Sequence, residues 1–208
     1  MPATPTSPRV EALREALANG QPDVLAAFWA EMQARHTPLF ESAADDETQV
    51  LATFLWRGDS DTRHVLLFCS IIAFSPDSSH NKMQLLEGSD VWFMTLPVRR
   101  DLRATYHFSP NDPLKPALAY VSAADYTAWA ATYWQTDPLN STDGYLFPAD
   151  DETPGDQPVT VSVICGPDAA PQPYVAERPD VSKGTVALQY LVILNMRDED
   201  DVISSAKG

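Results

Sequence analysis

Residues Gln49 to Arg57 read QVLATFLWR, and residues Arg63 to Phe74 read RHVLLFCSIIAF. The first stretch is rich in strand formers and closes on Gly58-Asp59-Ser60-Asp61, a turn-forming cluster. The second is a near-continuous apolar run, shorter than an ordinary buried helix, and reads as a buried strand. Beyond the loop from Ser75 to Asn81, Met83 to Leu86 reads as a short strand or its lead-in. Gly88-Ser89-Asp90 then turns into Val91 to Leu96 (VWFMTL). Past a connection from Pro97 to Asp101, Leu102 to Phe108 (LRATYHF) alternates in polarity. Short strands about 10 residues apart, with turn signals between them, predict a β-sandwich.

Upstream, two short helices are predicted. Ser7-Pro8 supplies a capping residue and a proline suited to the first helical position. Val10, Leu13 and Leu17 follow at helical spacing, and Asn19-Gly20 supplies the stop. The second helix starts near Pro22-Asp23, carries Leu25, Phe28, Trp29 and Met32 on one stripe, and ends before Thr37-Pro38. The pair reads as an αα-hairpin whose aromatic stripe is packing surface.

Downstream, Ser109 to Pro113 reads as loop. Ser122 to Trp134 reads as one helix, with Ser122 as cap and Asp125 three residues on. Asp137 to Asp156 reads as loop, and Val159 to Cys165 (VTVSVIC) as another strand. Gly166 to Lys183 has no periodicity and reads as an extended linker. Val186 to Leu194 is a last apolar strand, and Arg197 to Gly208 a polar, acidic end.

The composition bounds the function. The 208 residues carry a formal net charge of −15 and are 44% hydrophobic, enough for a sizeable core. Up to Thr136 there are 16 acidic and 10 basic residues; from Asp137 onward there are 13 and 4. A field of this sign repels phosphate backbones and anionic lipid, so neither nucleic acid nor membrane is expected as a partner. The Pro/Thr/Ser-rich start has no apolar segment of a secretory signal, and no run approaches a membrane span, so the expected location is the cytoplasm. Cys69 and Cys165 each sit in an apolar run and read as core thiols, with their pairing left open.

Catalytic motifs are missing. No glycine pair brackets a serine as G-x-S-x-G, and there is no phosphate-cradling glycine loop and no H-E-x-x-H. No histidine lies within four residues of either cysteine, so no zinc spacing appears. His36 reads as the end of a helix, His64 and His107 as outward-facing strand residues, and His80 as a loop residue. Catalytic and metal-ligating residues are therefore expected to be absent, and no cofactor is expected. What remains is a set of arginines interleaved with aromatics: Trp56, Arg57, Trp92, Arg99, Arg103 and Tyr106. Such a set can hold an anionic, ring-bearing ligand by ion pairing and cation–π contact. The alternative is that these arginines pair with the surplus acids on a solvated face.

Four stretches together carry a resemblance. They are Thr53-Phe54-Leu55-Trp56-Arg57-Gly58, Leu86-Glu87-Gly88-Ser89-Asp90-Val91-Trp92, Tyr106-His107-Phe108-Ser109-Pro110-Asn111-Asp112 and Asp137-Pro138-Leu139-Asn140. In this order, behind a helix containing Phe28-Trp29-Ala30-Glu31, they resemble the N-terminal domain of enterochelin (enterobactin) esterases over residues 7 to 186.

The resemblance implies an immunoglobulin-like β-sandwich of the early-set type, here with the αα-hairpin and one additional helix. The chain then reads as a disordered start over 1–6, the sandwich domain over 7–165, and a linker and acidic tail over 166–208. In the family this domain precedes an α/β-hydrolase domain and covers its cleft, and the whole enzyme hydrolyses ferric enterobactin in the cytoplasm to release iron. The implied partners are thus a ferric siderophore, which brings the only iron, and a hydrolase domain. The hydrolase is expected to be absent here, leaving this chain inactive alone, with a frameshifted or truncated tail from about Ala187. The alternative is a glycan-binding or protein-interaction sandwich.

Overall fold

The computed structural model describes residues 5–43, 46–72, 79–113, 123–142, 144–149 and 154–172. Helices α1 (Pro8–Ala18) and α2 (Val24–Arg35) come first. Strands β1 (Leu39–Ser42), β2 (Gln49–Arg57), β3 (Val65–Cys69), β4 (Gln84–Leu85), β5 (Val91–Arg99) and β6 (Arg103–Pro110) follow. Helix α3 (Ala123–Tyr133), β7 (Tyr145–Phe147) and β8 (Val159–Cys165) complete the described order. All fall within one unit, Met1–Ala170.

Two four-stranded antiparallel sheets form, in the orders β1-β2-β5-β4 and β3-β6-β8-β7. The alternation along β2 and β5 sorts their side chains to two faces. Val50, Ala52, Phe54 and Trp56 from β2, with Trp92 and Val98 from β5, meet Val65, Leu67, Tyr106, Phe108 and Ile164 of the second sheet in the central core. Leu55, Val91 and Phe93 point the other way and pack under Val10, Leu13, Phe28, Trp29 and Met32 of the helical hairpin. β2 is therefore buried on both faces, which explains why its sequence hardly alternates. On the hairpin side the register partners Thr53 and Thr95 satisfy each other, Oγ1 to Oγ1 at 3.0 Å.

The hairpin is tied down at its start. Ser7 Oγ accepts from Val10 N and donates to the Glu41 carboxylate. Glu41 Oε1 also accepts the Arg9 amide at 2.8 Å, placing an anion at the N-terminus of α1. On the opposite side, Trp129, Ala130 and Trp134 of the α3 region pack on Val159 and Val161 of β8. The layers thus run helix, sheet, sheet, helix.

Several expectations are revised. β1 and β7 were not anticipated: β1 is four residues and β7 three, too short to show a period. β3 ends at Cys69, and a turn follows at Ser70 to Ile72 instead of more strand. β6 runs through Ser109 and Pro110, which had read as loop, because the Pro110 position pairs with Val65 at the strand's end. His107 does face away from the central core, but it is buried, since α3 covers that face. Cys69 is buried, Cys165 is half-buried, and both are free. The Ser122 cap, most of the linker, Val186 to Leu194 and the acidic end lie outside the described residues.

Candidate functional site

The six candidate residues are placed in three different settings. Arg57 sits at one end of β2 opposite Val91, while Arg99 sits at the other end of β5 opposite Gln49. Eight strand steps at about 3.3 Å each put these two backbone positions on the order of 26 Å apart along the sheet. Arg103 opens β6, just past the turn from Arg99, and so belongs to the Arg99 end.

At the Arg57 end, motif residues converge. Asp90 Oδ2 accepts from Arg57 Nε, and Asp90 Oδ1 accepts from Trp29 Nε1, both at 2.8 Å. The Arg57 guanidinium stands 5.5 Å from the centre of the Trp29 ring. The Gly58 amide donates to the Asp90 carbonyl at 2.8 Å. A Cβ at Gly58 would come within 2.6 Å of Trp92 Nε1, so the indole edge needs glycine there. Arg57 keeps a 62% exposed side chain. A depression of about 430 Å³ adjoins it, lined by Leu17, Asp23, Val24, Leu25, Arg57 and Asp90. Trp56 is half-buried against Phe108, and Trp92 is buried. This corner can present a positive charge lying over an aromatic face.

At the far end the arginines have local partners. Arg99 chelates Asp101 through Nε and Nη2 at 2.9 and 2.6 Å, and Arg100 pairs with Asp168 at 2.6 Å. Arg103 donates to Cys165 Sγ at 2.8 Å and to the Ala170 carbonyl at 3.2 Å.

Tyr106 belongs to neither end. It is 1% exposed, stacked edge-on with Phe54 and Phe108. Its hydroxyl donates to Asp137 Oδ2 at 2.7 Å and accepts from Asn140 Nδ2 at 2.8 Å. Asp137 Oδ2 also accepts from Thr37 Oγ1, Oδ1 accepts from Leu139 N, and the Asp137 amide donates to Ser162 Oγ. Burial raises the Asp137 carboxyl above its ordinary value, and burial together with the nearby carboxylate raises the Tyr106 phenol. This knot joins the exit of α2, β6 and β8, and its role is to hold them.

Sequence reasoning did not single out Trp29, Asp90 or Asp137 as contact makers. Asp90 and Asp137 did lie inside the quoted motifs, and that is the signal that marks them. Among the described residues, no group of three or more His, Cys, Asp or Glu side chains is placed to hold a metal ion. No described helix is long and apolar enough to cross a membrane.

The family described as enterochelin esterase, N-terminal, matches residues 51–175, more than half of the chain. The chain belongs to this family. All six candidate residues, Asp90, Asp137 and Asn140 lie within the matched stretch, whereas α1, α2, Trp29 and the Thr37 of the knot precede it. An iron(III) enterobactin esterase from Dickeya dadantii is 32% identical over 90 residues, covering 40% of this chain and 20% of that protein. An iron(III) salmochelin esterase from Escherichia coli is 28% identical over 133 residues, covering 63% of this chain and 32% of that protein. The chain thus spans a fifth to a third of the length of these relatives. Among solved structures, ferric enterobactin esterase from Salmonella typhimurium aligns with a TM-score of 0.48 at 21% identity, over 71% of this chain and 38% of that one. Enterobactin esterase from Shigella flexneri in the presence of enterobactin aligns at 0.43 and 22% identity, over 69% and 36%.

Proposed function

We propose that this member of the enterochelin esterase family acts in ferric-siderophore ester hydrolysis as a non-catalytic domain that contacts the siderophore beside an α/β-hydrolase domain. In this reading the sandwich is immunoglobulin-like, of the early-set type, and works in the cytoplasm. Iron enters only as cargo of the siderophore. The match over residues 51–175 carries the proposal.

The geometry favours one corner for such a ligand. A ferric tris-catecholate is anionic, so it needs an exposed cation within short range. Arg57 offers an exposed guanidinium at this corner, held by Asp90 through Nε and backed by the buried Trp29 ring. Arg99 and Arg103 stand too far away to share one small ligand with it, and Tyr106 and Trp92 are covered by the core. The net charge of −15 opposes long-range attraction, so contact at this corner is short-range.

Titration of the purified chain with ferric enterobactin tests this reading. Quenching of tryptophan fluorescence and a saturable heat signal are expected, both weakened at least tenfold in R57A. Silence in both readouts up to high micromolar ligand rejects binding by this chain. With no serine nucleophile motif present, no hydrolysis of the ester is expected without an added hydrolase domain, and turnover by the chain alone refutes the non-catalytic assignment.

A further inference from the structure

A cleft lies at the end of the sandwich opposite Arg57. This solvent-open cleft of about 530 Å³ is lined by Ile71, Ile72, Leu96, Pro97, Val98 and Leu102, with Arg99 and His80 also on its wall. Its size and its mostly apolar lining with a few polar groups are those of a small-molecule site. Among the described residues the lining holds no Phe, Tyr or Trp, and its branched aliphatic side chains suit a flexible aliphatic chain. Ile71 is 41% exposed, an unusual position for a branched aliphatic side chain, and it faces this cleft.

Arg99, Arg100 and Arg103 gather here against Asp101 and Asp168. Arg99 uses Nε and Nη2 on Asp101, and among the described residues its Nη1 has no acceptor. An apolar trough ending in a guanidinium with an open donor is complementary to an aliphatic chain ending in a carboxylate.

We propose that this cleft binds a medium-chain aliphatic carboxylate, with the chain along Ile71, Ile72, Leu96 and Leu102 and the carboxylate on Arg99. The site is separate from the Arg57 corner and does not depend on the siderophore reading.

The test is calorimetric titration of the full chain with decanoate and, in parallel, decanol. One saturable decanoate site is expected, with decanol roughly tenfold weaker, the worth of one charge-assisted hydrogen bond. R99Q should bring decanoate down to the decanol level and leave decanol unchanged. Ile71→Asp, at an exposed position that the fold tolerates, should weaken both by tenfold or more. Absence of saturable decanoate binding up to 1 mM (about −4 kcal/mol) overturns the proposal. So does decanoate binding that survives both R99Q and Ile71→Asp, because the ligand then sits elsewhere.

Discussion

Acid should loosen this protein through a single imidazole. His107 is stacked 3.5 Å from Trp134 and 5.1 Å from Phe68, ring centre to ring centre, beneath α3. It is 7% exposed, and among the described residues its Nε2 finds no hydrogen-bond partner. Burial pushes its pKa from 6.5 down to about 3. A depressed value means the unfolded chain takes up the proton first, so stability falls as pH drops through 6.5 and keeps falling until about 3. Each unit of separation is worth about 1.4 kcal/mol. The loss attributable to His107 is then about 2 kcal/mol at pH 5 and about 3 kcal/mol at pH 4, relative to pH 8. Asp137, raised by burial, acts in the opposite sense, favouring the fold in acid and costing stability as pH rises through its folded value. Comparing wild type with H107F cancels that contribution, since Phe keeps the stack and cannot take a proton. Urea unfolding at pH 8, 6, 5 and 4 supplies the numbers. H107F should match or exceed wild type at pH 8 and lead it by about 2 kcal/mol more at pH 5 than at pH 8. If H107F folds poorly, His107→Leu serves the same comparison. Curves that stay parallel to within about 0.5 kcal/mol across this range refute the reasoning.

Three further outcomes follow from the packing. Asp137→Ala strands the Thr37 and Tyr106 hydroxyls and the Leu139 amide, and should cost about 3 kcal/mol in urea unfolding, against about 1 for Tyr106→Phe; an Asp137→Ala loss below that of Tyr106→Phe counts against the knot. Gly58→Ala drives a methyl into the Trp92 indole and should cost about 1–3 kcal/mol, with a shift in tryptophan emission; unchanged stability means the corner yields more easily than its 2.6 Å approach implies. Ser7→Ala removes the cap of α1 and its link to Glu41, and should lower stability by about 1 kcal/mol by thermal melt.

The sequence alone carried far into this protein where local chemistry and periodicity agree. Ser7-Pro8 and Asn19-Gly20 bound α1 because capping and chain-stopping are local events. β2 was legible from its β-branched and aromatic content, and α3 was found over Ala123–Tyr133. β1 and β7 were not legible, because three or four residues carry no period and become strands only when β2 and β8 offer them an edge. The order of the quoted motifs led to the family. Those motifs could not tell which arginines share a site. That needed the register: Arg57 and Arg99, both picked for the same chemistry, lie at opposite ends of one strand pair. Burial was likewise a tertiary matter. His107 and Tyr106 alternate along one strand as if one faced water, yet α3 closes over the first and the first sheet, through Phe54, covers the second. Sequence determines what each residue can do, since that chemistry travels with the side chain. Only the packed layers decide which groups meet, because water and neighbours are assigned by the fold.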